Sequence, residues 1–157
     1  GMAFGTGHHE STWMILSQII NYVKPNMSVL DLGTGSGILS IASIKYGANK
    51  IDAIEIDLDC KENFYENLTI NKINNKIKFH NLDVLEWDDF NYDIIIANIN
   101  RNVIEKLIPR LSYNNGLILL SGLLKSDFKH ISSLCLNHNI NIEKKIIKGE
   151  WLCLVLK

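Results

Sequence analysis

The amino-acid sequence predicts a single α/β domain, residues 1–157, with a mostly parallel sheet of seven strands and an antiparallel hairpin at its end. Three observations lead to this prediction. Strand-like and helix-like segments alternate along most of the chain, a glycine-rich turn joins the first strand to the second helix, and the last two strands meet at Lys148-Gly149. Short connections between alternating segments imply right-handed crossovers, which place helices on both faces of the sheet. The expected architecture is therefore a three-layer, Rossmann-like domain.

The helices and strands follow from the spacing of apolar residues and from the residues that end each segment. Helices are predicted at residues 11–23, 38–46, 59–73, 102–111 and 125–138. Strands are predicted at residues 28–32, 50–56, 76–80, 92–97, 116–121, 140–147 and 150–156. The first helix has apolar residues at helical spacing from Met14 to Val23 and ends at Pro25, and Gly47 ends the second helix. The fourth strand, YDIIIA, is apolar enough to lie in the middle of the sheet.

Composition and charge argue against several classes of protein. The chain has 157 residues, of which 46% are hydrophobic, enough for one buried core. Its net charge of −1 is not that of a general nucleic-acid binder, which is usually basic. Three cysteines form no CxxC pair, and an odd number without a signal peptide fits a cytoplasmic location. No apolar run reaches the roughly 18–20 residues that cross a bilayer, so we expect no membrane partner.

The motif VLDLGTGSG, residues 29–37, carries the main functional signal. It follows a predicted strand and opens a predicted helix, which is the context that makes a glycine motif informative. Gly33 and Gly35 lack a Cβ, so the backbone turns sharply there and a ligand approaches it closely. The N–H groups at the start of the following helix favour a carboxylate or a phosphate. We therefore expect Asp31, Gly33 and Gly35 to bind a cofactor; the alternative is a tight turn without a ligand.

Acidic residues follow the second and third predicted strands. Glu55 comes 22 positions after Gly33, close to the roughly 20-residue spacing of an acid that accepts hydrogen bonds from ribose hydroxyls. Asp57 is interpreted as a cap of the next helix. Asp83 has two open interpretations: it accepts a hydrogen bond from the exocyclic amine of an adenine, or it caps a short turn.

Asn98 stands where the apolar fourth strand reaches the edge of the sheet. Its side chain offers a carbonyl acceptor and an amide donor. These groups suit either an incoming amine or the amino-acid part of a cofactor, and the alternative is a turn residue. We therefore predict that Asn98 belongs to the site.

The segment FGTGHHEST near the N-terminus leads into the first predicted helix. Phe4 and Thr6 lie in its predicted loop, and Thr12 is placed to hydrogen bond a cofactor from the helix. His8 and His9 are adjacent but lack a third partner at ligand spacing, so we expect no metal site.

Together these motifs resemble the lysine methyltransferases of ribosomal protein L11, and the resemblance covers nearly the whole chain in order. The matching segments are FGTGHHEST, VLDLGTGSGIL, IEID, IIANI, ILLSGLL and GEW. The resemblance implies an S-adenosylmethionine-dependent methyltransferase fold, with cofactor contacts at Thr12, Gly33, Glu55 and Asn98.

The chain departs from the family pattern at a few motif positions. Glu55 stands where Asp is usual, Thr34 stands at a common Cys, and Glu10-Ser11 replaces a common Pro-Thr. Acidity and hydroxyl groups persist, so we expect the chemistry to be kept. The family also has an N-terminal domain that docks the ribosomal protein, and nothing precedes Met2 except Gly1. We therefore expect a catalytic domain only, either excised or from a shorter relative with another target.

The resemblance implies an enzyme that transfers a methyl group from S-adenosylmethionine to a lysine or α-amino group of a protein, such as ribosomal protein L11. Asn98, Phe4 and Thr6 are the expected slot for the amine. One alternative is a cofactor-binding module or fragment without activity of its own. Others are a methyltransferase of another protein, a nucleic acid or a small molecule, and a nicotinamide-dependent oxidoreductase. The last is disfavoured because the glycine spacing is GxGxG and not GxGxxG.

Overall fold

The computed structural model of the chain describes residues 9–73 and 75–157. Its strands are β1 (Ser28–Leu32), β2 (Lys50–Glu55), β3 (Ile77–Asn81), β4 (Ile94–Asn98), β5 (Leu117–Leu124), β6 (Ile142–Lys148) and β7 (Trp151–Leu156). They form a seven-stranded sheet in the order β3-β2-β1-β4-β5-β7-β6. Strands β1 to β5 pair in parallel, whereas β7 pairs antiparallel with both β5 and β6. The predicted fold class is therefore confirmed.

The α-helices are α1 (His9–Tyr22), α2 (Ile38–Lys45), α3 (Cys60–Ile70), α4 (Arg101–Leu111) and α5 (Phe128–Asn137). Helix α3 ends three residues before its predicted boundary, since Lys72 takes a left-handed φ of 56°. The helix predicted at 125–138 is instead a 3-10 turn, Lys125–Asp127, followed by α5. None of the helices in the described residues combines the length and the hydropathy that a bilayer-crossing segment requires.

Helices cover both faces of the sheet, as the three-layer prediction requires. Helices α4 and α5 contribute fully buried residues such as Leu107 and Ile131 to the core on one face. Helices α1 and α3 contribute Met14 and Phe64, also fully buried, on the opposite face. Burial of these apolar side chains on both sides explains why the central strands are almost continuously hydrophobic.

The side chains of Tyr92, Asp52 and His80 form a polar network within the sheet. The Tyr92 hydroxyl donates to Asp52 Oδ2 at 2.6 Å, and His80 Nε2 lies 2.8 Å from Asp52 Oδ1. Burial by itself raises the pKa of Asp52, but the hydrogen bonds from Tyr92 and His80 outweigh it and leave the pKa below its ordinary value. This network fixes β2 against β3 and against the residues that lead into β4.

The strand order reverses at β1, which lies between β2 and β4. In open α/β sheets, ligands bind outside the carboxyl ends of the strands at such a reversal. Here β1 ends at Leu32, β2 at Glu55 and β4 at Asn98. The fold therefore brings the sequence-predicted residues of three separate motifs to one edge.

Candidate active site

The glycine turn after β1 is fixed to the neighbouring strand. The backbone N–H groups of Gly33 and Thr34 both donate to the carbonyl oxygen of Ile54, at 2.8 and 3.0 Å. Gly33 has a φ of 76°, and a Cβ at this position would clash with the side chain of Ile99. Gly35 also has a positive φ, 55°, but a Cβ there would meet no atom within 4 Å. Gly33 is therefore required by packing, whereas Gly35 borders open space that a ligand can enter.

Asp31, at the beginning of the motif, is completely buried. Its Oδ2 accepts hydrogen bonds from Ser40, at 2.6 Å, and from Thr34, at 2.8 Å. Its Oδ1 is also buried and has no hydrogen-bond partner among the described residues. Burial raises the pKa of Asp31 to about 6, although the two hydroxyl donors act in the opposite direction. The motif therefore contains one carboxylate oxygen that lacks a donor.

Glu55, at the end of β2, is hydrogen bonded to the backbone on both sides. Its Oε1 accepts from the N–H of Gly35 at 2.8 Å, and its Oε2 accepts from the N–H of Asp57 at 3.0 Å. Each carboxylate oxygen keeps acceptor capacity, because a carboxylate offers about four lone-pair sites. The side chains of Ile56 and Leu58 are 64% and 57% exposed just beyond it. A half-buried acid and two exposed apolar side chains thus lie next to the open glycine turn.

Asn98, at the end of β4, is buried and joined to helix α1. Its Oδ1 accepts from the Ser11 hydroxyl at 2.7 Å, and its Nδ2 donates to Thr12 Oγ1 at 3.3 Å. Ser11 Oγ also lies 2.9 Å from Ser121 Oγ on β5. The structure therefore brings the predicted site residues Thr12 and Asn98 together, and it adds Ser11 and Ser121, for which no site role was predicted.

Gly122 allows β5 to pass close to the end of β4. It has a φ of 89°, and a Cβ there would clash with the backbone carbonyl of Ile99. The pairing register of β5 with β7 shifts between Leu120 and Leu123, around this glycine. Strand β5 consequently continues to Leu124, three residues beyond its predicted end. This close approach carries Ser121 to the Ser11–Asn98 pair.

Two further acidic residues accept hydrogen bonds from backbone N–H groups two positions ahead of them. Asp83 Oδ1 accepts from the N–H of Leu85 at 2.9 Å and caps the 3-10 turn Val84–Glu86. Asp57 Oδ1 accepts from the N–H of Asp59 at 2.9 Å, just before α3. The cap anticipated for Asp83 is therefore present, whereas the one anticipated for Asp57 is wrong: the N-cap residue of α3 is Asp59, and its side chain makes no capping hydrogen bond. For Asp83 this is one of the two interpretations, and the cap engages only one of its two oxygens.

Phe4 and Thr6, which are predicted to form part of the acceptor slot, lie outside the described residues. Within residues 9–73 and 75–157, no group of three or more His, Cys, Asp or Glu side chains is arranged to hold a metal ion.

Ser121 was detectable in principle, since it is a polar residue in the apolar run ILLSG. Ser11 carried no such signal, because its partners lie 87 and 110 positions away.

Comparison with known proteins identifies relatives along the full chain. The family model described as ribosomal protein L11 methyltransferase matches residues 1–157. The ribosomal protein L11 methyltransferase of Acetivibrio thermocellus is 38% identical over 161 residues, covering 100% of this chain and 51% of the relative. That of Thermosipho melanesiensis is 37% identical over 160 residues and covers 100% of this chain and 59% of the relative. The chain thus spans about half the length of the curated relatives it matches.

Solved structures give the same result. The ribosomal protein L11 methylase of Lactobacillus delbrueckii subsp. bulgaricus superimposes with a TM-score of 0.87 at 32% identity, covering 96% of this chain and 79% of that one. A precorrin-6y C5,15-methyltransferase from Geobacter metallireducens, 14% identical, has a TM-score of 0.70 over 91% of this chain and 85% of its own. The latter shows a shared fold alone. With a matching family model and relatives above 30% identity, the chain belongs to the ribosomal protein L11 methyltransferase family.

Proposed function

We propose that this chain binds S-adenosylmethionine at the carboxyl edge of β1, β2 and β4 and transfers its methyl group to an amine of a protein. The observation that supports this most strongly is the convergence of Gly35, Glu55 and Asn98 on the reversal of strand order. Three chemically different groups, an open glycine turn, a half-buried carboxylate and an anchored amide, are brought there by three separate motifs. A methyltransferase-fold protein complexed with SAH, 17% identical over 94% of this chain and 49% of its own, has a TM-score of 0.76.

The residues present fit the parts of this cofactor. Glu55 is held by two backbone donors and keeps lone pairs that can accept from both ribose hydroxyls. Ile56 and Leu58 offer exposed apolar surface for a flat base. The cap uses only Oδ1 of Asp83, so its second carboxylate oxygen can accept a hydrogen bond from the exocyclic amine of an adenine. This capacity supports the second interpretation of Asp83.

The cofactor's amino-acid part fits the other end of the site. The glycine turn and the start of α2 offer backbone N–H groups for a carboxylate. Asp31 Oδ1 is a buried acceptor without a donor, and it would favour positive charge nearby. Thr12 and Asn98 add hydroxyl and amide groups at the same edge. We therefore assign cofactor contacts to Thr12, Asp31, Gly33, Gly35, Glu55, Asp83 and Asn98.

When bound, S-adenosylmethionine supplies an electrophilic methyl carbon, and the protein's part is to hold a neutral amine in line with it. An unperturbed lysine has a pKa of about 10.4, so the site must favour the uncharged amine by removing water from it. Asn98 lies on a fully buried strand, which suits that task. The proposal retains Phe4 and Thr6 as the remaining walls of the acceptor slot.

Ribosomal protein L11 is the substrate that the relatives' names indicate, and we propose it for this chain. The proposed location is the cytoplasm, where ribosomal proteins are used. A second candidate is a cofactor-binding module without activity of its own, because the chain spans about half the length of its curated relatives. Other proteins, nucleic acids and small molecules are the remaining alternative acceptors.

Transfer of tritium from labelled S-adenosylmethionine to purified L11 tests this proposal. We expect the chain to label L11, and we expect Asn98→Ala to lower the rate at least tenfold. Asn137→Ala, at the exposed end of α5, is the matched control and should keep the wild-type rate. If the wild-type chain binds S-adenosylhomocysteine but labels no L11, the module without activity or another acceptor replaces our assignment.

A further inference from the structure

Ser11 and Ser121 form a buried pair behind Asn98. Both serines are 0% exposed, and they come from α1 and β5, two elements that pack against each other. Ser11 Oγ lies 2.7 Å from Asn98 Oδ1 and 2.9 Å from Ser121 Oγ. Ser121 Oγ also lies 3.0 Å from the backbone carbonyl of Ser11. Two hydroxyl groups and one amide are thus joined in a single chain of polar contacts.

The number of hydroxyl protons determines which group donates in these hydrogen bonds. The carbonyl oxygen of Asn98 can only accept, so the one proton of the Ser11 hydroxyl is donated to it. The Ser121 hydroxyl then lies within hydrogen-bond distance of two acceptors on Ser11, the hydroxyl and the carbonyl oxygen, and it also contacts the thiol of Cys153. A separation of 2.7 Å is typical of O–H···O and shorter than the usual N–H···O distance, which supports this orientation of the amide.

The orientation decides which groups Asn98 offers to the site. With Oδ1 bound by Ser11, the Nδ2 amide group faces Thr12, where one of its hydrogens is donated at 3.3 Å. One N–H of Nδ2 and one lone pair of Oδ1 then remain to contact a ligand. Without the serine hydroxyl, the buried amide would lose a partner and either orientation would become accessible.

We propose that Ser11 is a positioning residue, which fixes the amide of Asn98 for cofactor binding and is itself oriented by Ser121. This inference rests on the proposed function, since Asn98 is taken to contact the cofactor. Ser11 need not touch the cofactor. It acts through Asn98, and it joins α1 to the end of β4 and to Ser121 within β5.

A double-mutant cycle tests the inference in the 157-residue chain. The dissociation constant of S-adenosylhomocysteine is measured by calorimetry for wild type, Ser11→Ala, Asn98→Ala and the double variant. Removing one partner of a buried hydrogen bond should weaken binding about tenfold in Ser11→Ala. Because Ser11 acts through Asn98, the double variant should bind within about twofold of Asn98→Ala alone. The proposal would be overturned if the affinity losses of the two single variants multiplied in the double variant. A wild-type dissociation constant in Ser11→Ala would overturn it as well.

Two further variants separate positioning from a general loss of stability. Ser11→Thr keeps the hydroxyl and should bind within about threefold of wild type. Ser43→Ala removes another completely buried serine hydroxyl, one that donates to Leu39 O within α2, at 2.8 Å. It should lower the free energy of unfolding in urea without changing the dissociation constant. Weakened binding in Ser43→Ala equal to that in Ser11→Ala would contradict a specific role for Ser11.

A readout that needs no ligand keeps this inference distinct from the proposed function. Hydrogen exchange of the Asn98 side-chain amide, followed by NMR, should be slow in wild type and at least tenfold faster in Ser11→Ala. It should stay slow in Ser43→Ala. If wild type binds no S-adenosylhomocysteine, the proposed function fails, and the exchange data still decide whether Ser11 holds the amide. Unchanged exchange in Ser11→Ala would overturn the inference by itself.

Discussion

The carboxylate of Glu55 accepts a hydrogen bond from the backbone N–H of Gly35, at 2.8 Å. Glu55 is the last residue of β2, whereas Gly35 lies in the turn after β1. The bond therefore joins the glycine turn to the acidic residue before any ligand arrives. A glutamate is one methylene longer than the aspartate usual at this family position, which extends its reach toward the turn.

Replacing Glu55 should weaken binding of the cofactor product far more than it weakens the fold. Glu55→Ala removes the proposed acceptor of both ribose hydroxyls and should raise the calorimetric dissociation constant of S-adenosylhomocysteine at least tenfold. Glu55→Asp keeps the charge but shortens the side chain, and we expect an intermediate loss. Glu66→Ala, on the exposed side of α3, is the matched control and should bind like wild type. Wild-type affinity in Glu55→Ala would remove Glu55 from the site.

The two glycines of the turn should respond differently to alanine. In Gly33→Ala the new methyl group would clash with Ile99, so the main loss should be in the free energy of unfolding. In Gly35→Ala the methyl group meets no protein atom, and the cost to the fold should be only the roughly 1–2 kcal/mol of a left-handed alanine. Binding of S-adenosylhomocysteine should nevertheless fall at least tenfold in Gly35→Ala. Urea denaturation and calorimetry on both variants measure this contrast, and equal profiles would contradict it.

The buried Asp31 should make stability depend on pH. Its folded-state pKa is raised to about 6 by burial, so the folded protein holds this proton more tightly than the unfolded chain does. The contribution of Asp31 to stability is therefore greatest below its unfolded value and declines as the pH rises toward 6.

Asp31→Asn removes that titration. The free energy of unfolding of the variant, relative to wild type, should increase by on the order of 2 kcal/mol from about pH 4.5 to about pH 7. Urea denaturation at the two pH values measures the change. A difference between variant and wild type that stays constant with pH would show that Asp31 is not perturbed in this direction.

The Tyr92–Asp52–His80 network should matter to the fold and not to the site. Tyr92→Phe leaves a buried carboxylate without one donor and should lower the free energy of unfolding by about 1–3 kcal/mol at neutral pH. Because the pKa of Asp52 is held below its ordinary value, this stabilisation is present at neutral pH and is lost as the pH falls through that lowered pKa. The variant should bind S-adenosylhomocysteine within twofold of wild type. A tenfold loss of affinity would place the network in the site.

Much of the candidate site was predictable because each of its main residues ends a strand or follows one. Alternation of strands and helices predicts a parallel sheet, and a parallel sheet brings the ends of β1, β2 and β4 to one edge. Glu55 and Asn98 were therefore predicted to lie at the same edge from the order of strands and helices alone. The exact partners were not predictable: the bond from Gly35 to Glu55 depends on side-chain length and on the conformation of the turn.

The contacts that sequence reasoning missed are long-range. Ser11 meets Asn98 across 87 positions and Ser121 across 110 positions, and no local spacing encodes either pair. The continuation of β5 past Ser121 was missed for a related reason. Gly122 reads as a strand end in isolation, whereas in the fold it lets β5 pass the backbone of Ile99. Asp83 could be narrowed only to two roles, a contact with the adenine amine or a cap of a short turn, and the cap is present.

The most direct test of the central claim is a pair of calorimetric titrations of the wild-type chain, one with S-adenosylhomocysteine and one with NAD. We predict one-site binding of S-adenosylhomocysteine and no measurable binding of NAD, because the turn has GxGxG spacing and not the GxGxxG spacing of dinucleotide enzymes. Binding of NAD with equal or greater affinity, or no binding of S-adenosylhomocysteine, would contradict the account.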